Sequence, residues 1–220
     1  MQLIYLSILS LLLTACGNTS SNRYPADARK SLFDGRSFAI TQRPSPQFAI
    51  VTLGRALTPL FLGMPGAHEE GQSVVTAFNI PDPKQYIGAK LIEALVVRAG
   101  AKIGQDRVDI VDAAQAESLI KAEKRTDYVL DLETRHWFIS TLGLFNPTHY
   151  RVSISVTARI FDTRSGLIVS ESNCFLARAR VEEPPTYDEL LANQGAKLKT
   201  ILAGASVDCA SKIQTDFLAG

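Results

Sequence analysis

The chain has few of the residues on which motifs for enzyme chemistry are built. Its 220 residues include only three cysteines, three histidines and one tryptophan, and the formal net charge is +1. Lys and Arg are spread along the chain without a run of four, so the sequence has neither a polybasic arm nor the charge footprint of a nucleic-acid-binding protein. A nucleophile elbow and a phosphate-binding glycine loop are also absent. We therefore predict no catalytic residues, no metal site, no cofactor and no nucleic-acid partner.

The chain also lacks a long apolar run. A membrane-spanning helix needs about 20 apolar residues, whereas the run over residues 3–13 is about eleven residues long. That length suits the apolar core of a signal peptide. The composition of the whole chain, 46% hydrophobic and 20% charged, is typical of a globular protein. Its 220 residues are enough for one domain.

A short motif follows this apolar run. Leu13-Thr14-Ala15-Cys16 resembles the lipobox of bacterial lipoproteins, in which Leu and two small residues precede a cysteine. The resemblance implies that residues 1–15 are a signal peptide and that Cys16, the first mature residue, carries the membrane-anchoring lipid. Gly17 in place of Asp implies the outer membrane, with the domain facing the periplasm. The leader departs from the family in lacking Lys or Arg before the apolar run. The alternative is a buried N-terminal element with an ordinary thiol at Cys16.

The two remaining cysteines, Cys174 and Cys209, form an even pair in a compartment that permits disulfides. We predict that they are bonded to each other, and the alternative is two free buried thiols. No histidine lies near either cysteine in the sequence, which argues against a metal site.

Three segments follow from the residue pattern. Residues 16–35 begin with the lipidated cysteine and are largely polar, which is typical of a flexible tether. Residues 36–220 form a single periplasmic domain. Within it, residues 55–83 are rich in Pro and Gly and predict an irregular insertion. Phe61 and its apolar neighbours in this insertion either contact the membrane or a partner, or fold over the core.

The order of predicted elements indicates the fold class. Period-two alternation over residues 150–161 predicts a strand with one wet face, followed by turn residues and a hairpin partner. Asp82 is a typical helix N-cap, and Thr186 with Glu189 three residues later makes a capping box. Gly100 is a typical helix terminator. We predict an α+β fold, with a single mixed, mostly antiparallel sheet, helices packed on one face and a long C-terminal helix.

The hairpin over residues 159–168 resembles one found in periplasmic envelope-assembly domains. An apolar strand, Asp162, a small polar turn with Gly166 and a second apolar stretch make up the pattern. It is similar to a hairpin in the curli-secretion lipoprotein, the penicillin-binding-protein activator lipoproteins and the amino-terminal domain of the Tol translocation protein. The resemblance implies a non-enzymatic role in envelope assembly.

Two groups of residues in the middle of the chain require interpretation. Asp131 and Glu133 are two apart on one strand and share a face, which we interpret as soluble surface rather than as an acid–base pair. An apolar hairpin tip follows, and it either covers the core or forms a contact surface. We favour the contact surface, with these members: Trp137, Phe138, Leu144 and Phe145, together with Phe61.

The sequence therefore predicts a lipid-anchored, non-enzymatic binding or assembly module. Its expected partners are the membrane, through the lipid on Cys16, and an envelope protein. An auxiliary lipoprotein of an envelope transport system is the alternative, and an envelope-acting hydrolase is less favoured because no catalytic motif is present.

Overall fold

One sheet of seven strands forms the centre of the described part of the computed structural model, which covers residues 20–52, 54, 64–112, 115–143, 145–178 and 184–218. The strands are β1 (Ser20–Asn22), β2 (Ser37–Gln42), β3 (Ala49–Val51), β4 (Lys102–Asp109), β5 (Tyr128–Thr141), β6 (Tyr150–Asp162) and β7 (Ile168–Arg178). The helices are α1 (Ala26–Phe33), α2 (Met64–Phe78), α3 (Pro83–Ala99), α4 (Ala116–Ala122) and α5 (Tyr187–Leu218).

The sheet is mixed, and its long pairings are antiparallel. The strand order is β1-β7-β6-β5-β2-β4, with β3 beside β5. The pairs β1–β7, β7–β6 and β6–β5 are antiparallel. By contrast, β2 is parallel to both β4 and β5, and β3 is parallel to β5. The predicted α+β class with a mostly antiparallel sheet is therefore confirmed.

The two faces of the sheet differ in what covers them. On the helix-covered face, alternate side chains of β5 and β6 such as Leu130 and Ile154 join the main core with α1, α2, α3 and α5. On the opposite face, which we call the open face, only the short α4 contributes to a described core cluster. Its Ala116 and Ile120 pack there with Val129 and Phe161 at one end of the sheet.

Local signals define the helix ends. The Asp82 carboxylate accepts a hydrogen bond from the Lys84 amide, and Gly100 ends α3 in the left-handed conformation. The Thr186 hydroxyl and the Glu189 carboxylate cap each other's backbone amides at the start of α5. These predictions are confirmed, although α5 is interrupted by non-helical backbone at residues 192–195. No described helix has both the length and the apolar character needed to cross a bilayer.

A disulfide joins the last helix to the sheet. Cys174 on β7 and Cys209 on α5 are bonded, with 5.5 Å between their Cα atoms, and both side chains are buried. The predicted pairing is confirmed. The bond connects two elements 35 residues apart in the chain.

The predicted tether over residues 16–35 is wrong for its second part. Ser20–Asn22 form β1 on the edge of β7, and Ala26–Phe33 form α1, whose Phe33 is buried in the main core. Polar composition here does not indicate disorder, because the polar groups have tertiary partners. The Arg29 guanidinium donates to the backbone carbonyls of Asp216 and Phe217 at the end of α5.

The predicted irregular insertion over residues 55–83 is also wrong in part. Residues 55–63 lie outside the described part, but Met64–Phe78 form the regular helix α2. The Pro and Gly residues that suggested irregularity have specific positions. Pro65 lies in the first turn, where a helix tolerates proline. Gly71 lies so close to β3 that a Cβ atom there would come 2.0 Å from the Phe48 carbonyl oxygen.

Candidate functional site

A buried group of charges lies on the open face, next to α4. The carboxylate of Asp131 on β5 is completely buried and binds the Arg43 guanidinium at 2.6 and 2.9 Å. It also accepts a hydrogen bond from the Thr41 hydroxyl at 2.8 Å and contacts Arg159 at 3.3 Å. Interpreting Asp131 as soluble surface is therefore wrong, because its neighbours across the sheet supply enough donors to satisfy it in the interior.

Arg159 on β6 extends this group across three strands. Its guanidinium reaches Glu133 on β5 at 3.3 Å and Glu171 on β7 at 2.8 Å. We call the set of Arg43, Asp131, Glu133, Arg159 and Glu171 the charge cluster. A cavity of about 380 Å³ opens beside it. Because Asp131 and Glu133 are both held by arginines, the cluster connects strands and does not present an available acid–base pair.

Aromatic rings follow the charge cluster along the open face. The His136 ring lies 5.6 Å from the Phe138 ring and 6.0 Å from the Phe175 ring, measured between ring centroids. Phe175 is 41% exposed, His136 is exposed and Phe138 is half-buried. Partial burial lowers the pKa of His136 below its ordinary value, which favours the neutral imidazole. We call His136, Phe138 and Phe175 the aromatic patch.

Small residues and arginines surround the aromatic patch. Ser155 of β6 lies in register between His136 of β5 and Phe175 of β7. Exposed arginines lie at both ends of the patch along the strands. Arg151 pairs with Ser140, and Arg135 donates to the Thr157 hydroxyl. Arg135 also pairs with Glu133 at 3.2 Å. The patch is therefore a partly apolar surface with an arginine at each end.

Trp137 does not belong to this surface, so its predicted role as a contact residue is wrong. It is 2% exposed, its indole donates to the Pro46 carbonyl at 2.8 Å, and its ring packs on Phe48. The cause is a β-bulge between Thr134 and His136, which shifts the alternation of β5 by one residue. Trp137 consequently turns into the main core and Phe138 onto the open face.

Some of the other predicted site residues lie in the part of the chain that the structure describes, and some lie outside it. Phe138 lies in the aromatic patch, and Phe145 is fully exposed at the tip of the β5–β6 hairpin. Cys16, Phe61 and Leu144 lie outside the described residues. Among the described residues, no group of His, Cys, Asp and Glu could hold a metal ion.

Sequence reasoning missed Phe175 and Arg159, although signals for Phe175 were present. Cys174 faces the core, and neighbouring residues of a strand point to opposite faces. Phe175 must therefore face outward on the open side. The role of Arg159 depends on the register of three strands, which brings it level with Asp131 and Glu171. No local pattern in the sequence predicts the register of these three strands.

Comparison with known proteins gives similarity only at a low level. No family model and no curated protein matches the chain. Among solved structures, the PelC dodecamer from Paraburkholderia phytofirmans shares 15% identity over 86% of this chain and 93% of its own, with a TM-score of 0.34. Lipoprotein GNA1162 from Neisseria meningitidis shares 14% identity over 80% and 99%, with a TM-score of 0.34. A minor lipoprotein from Acinetobacter baumannii shares 16% over 61% and 86%, with a TM-score of 0.35. Similarity at this level assigns neither a family nor a function.

Proposed function

We propose that this chain is a lipid-anchored protein of the bacterial envelope, whose domain is a non-enzymatic binding or assembly module. The lipid is on Cys16, and the domain faces the periplasm from the outer membrane. The observation that carries the binding role is the aromatic patch, exposed on the open face. Exposed aromatic surface is unfavourable in water, and a clustered patch of it is typical of a contact surface.

Two further features support this proposal. The Cys174–Cys209 disulfide suits an oxidising compartment outside the cytoplasm, where a lipobox would direct the chain. On the open face, the one pair of carboxylates considered for catalysis is held by Arg43 and Arg159 within the charge cluster. That arrangement favours binding over hydrolysis.

The anchor can be tested by changing the leader alone. Residues 1–16 are replaced by a signal peptide that an ordinary signal peptidase removes, so that residues 17–220 are exported without a lipid. We expect the native chain in the membrane fraction and the exchanged chain in the soluble periplasmic fraction. Stable anchoring needs two or more acyl chains, and the exchanged chain carries none.

The control for this exchange is the disulfide. Thiols of both chains are labelled after denaturation without reduction, and protection of Cys174 and Cys209 shows that each chain was exported and folded. An exchanged chain that is protected but sediments with the membranes as completely as the native chain would refute the lipid anchor.

A further inference from the structure

We infer that the aromatic patch docks on the headgroup surface of the same membrane that holds the lipid. This inference rests on the proposed lipid at Cys16. It is a second contact of the domain with the bilayer, and it fixes which face of the sheet is turned toward the membrane.

The first observation is the direction in which the chain leaves the fold. β1 is antiparallel to β7, with Ser20 opposite Ser172 and Asn22 opposite Ser170. Followed backward from Asn22 to Ser20, β1 therefore runs alongside β7 in the direction of Phe175. The N-terminal end of β1 therefore points toward the end of the sheet that carries the aromatic patch.

The second observation is how little chain separates the lipid from the fold. Cys16 precedes Ser20 by four residues, which span at most about 14 Å when fully extended. Phe175 lies three residues beyond Ser172, about 10 Å along the strand. The lipid on Cys16 can therefore be attached no farther than about 14 Å from Ser20, a reach comparable to the distance between Ser172 and Phe175. Four residues are too few to form a long spacer between the lipid and β1.

The third observation is the chemistry of the surface. Phenylalanine and histidine rings present a flat apolar area, and the exposed Arg135 and Arg151 lie at its two ends along the strands. The nearby carboxylates of Glu133 and Glu171 are paired with Arg159, and Glu133 also contacts Arg135 at 3.2 Å. The Arg135 side chain is still 48% exposed. Apolar rings flanked by arginine suit an anionic lipid surface, where the rings enter the headgroup region and the guanidinium groups contact phosphates.

A weak surface contact is sufficient because the lipid supplies the first attachment. Once Cys16 is anchored, docking of the patch is intramolecular, and a short connection gives it a high effective concentration. We therefore infer that the aromatic patch binds the bilayer. A protein partner on the same face is the competing outcome, and it can be distinguished by experiment.

Photocrosslinking from the patch tests this inference. The photoreactive amino acid p-benzoylphenylalanine replaces Phe175 in the full-length, lipidated protein, which is reconstituted into vesicles of phosphatidylethanolamine and phosphatidylglycerol. The matched control carries it at Val97, which is 77% exposed on α3, on the helix-covered side. We expect the peptide containing residue 175 to gain a phospholipid mass at least ten times more often than the peptide containing residue 97.

Flotation of the same vesicles separates failure of this inference from failure of the proposed function. If the protein floats with the vesicles but position 175 gives no more lipid adduct than position 97, the anchor stands and the docking is wrong. If position 175 in cells crosslinks to a protein in place of lipid, the docking is also wrong. Protein that does not float at all overturns both.

The arginines supply a second readout. Replacing Arg135 and Arg151 together by Gln keeps the aromatic rings and removes two positive charges. We expect the lipid adduct at position 175 to fall several-fold in vesicles with phosphatidylglycerol, with little change in vesicles of phosphatidylethanolamine and phosphatidylcholine. An equal yield before and after the double substitution would contradict a role for the arginines in docking.

Discussion

Replacing Asp131 by Asn is expected to lower the free energy of unfolding by about 3–5 kcal/mol. The side chain keeps its size but loses its charge, and the buried guanidinium of Arg43 then has no anion among the partners that the structure gives it. Arg159 still has Glu133 and Glu171. Urea titration followed by fluorescence measures the effect, because the single tryptophan, Trp137, is buried in the main core.

Asp106→Asn is the matched control for this substitution. Asp106 also pairs with an arginine, Arg125, at 2.9 Å, but both side chains are substantially exposed. Exposed ion pairs contribute about 0–1 kcal/mol. Equal destabilisation by the two substitutions would show that burial of the charge cluster has no energetic consequence.

Removing the disulfide is the second large change. Replacing Cys174 and Cys209 together by Ala is expected to reduce the free energy of unfolding by about 3–4 kcal/mol, because the bond restricts the unfolded chain over a 35-residue separation. Both positions are buried between β7 and α5, so Ala adds no polar group to the core. The same urea titration provides the measurement.

Reduction provides the control for the double substitution. Dithiothreitol should lower the urea midpoint of the native chain toward that of the Cys174→Ala/Cys209→Ala chain and leave the latter unchanged. A native chain whose midpoint does not respond to the reductant would contradict a stabilising role for this bond.

Patterns with a short range predicted the fold well. Alternation along residues 150–161, the caps at Asp82 and Thr186, and the terminator Gly100 each depend on neighbours within a few residues. The structure confirms them as β6, α3 and the start of α5. The facing of Cys209 toward the sheet followed from helix periodicity, and its disulfide with Cys174 is present.

Features that depend on distant partners could not be read from the sequence. The bulge in β5 changes the face of Trp137, but its signal lies in the register with β6. The polar side chains of Asn22 and Arg29 donate hydrogen bonds to backbone carbonyls at the end of α5, which lies far away in the sequence. Gly71 suggests a break in isolation, yet it permits contact between α2 and β3. The left-handed residues Asn193 and Gln194 likewise interrupt α5 where periodicity predicted continuity.

These differences bear on the proposed attachment of the protein to the membrane. If Cys16 carries the lipid, as proposed, only four residues separate the anchor from Ser20, the first residue of β1, in place of the expected tether over residues 16–35. On the proposed anchor, so short a connection would keep the domain close to the bilayer, and the orientation of its sheet would determine which residues meet the membrane. The position of β1 on the edge of β7 therefore bears on the proposed membrane contact of the open face.

The mass of the N-terminal peptide, taken from protein extracted from membranes, tests the proposed anchor most directly. We predict a peptide that begins at Cys16 and carries a diacylglyceryl group on sulfur, with a further acyl chain on the new amino terminus. A membrane-extracted chain that begins at Met1, or one in which Cys16 is an unmodified thiol, would contradict it.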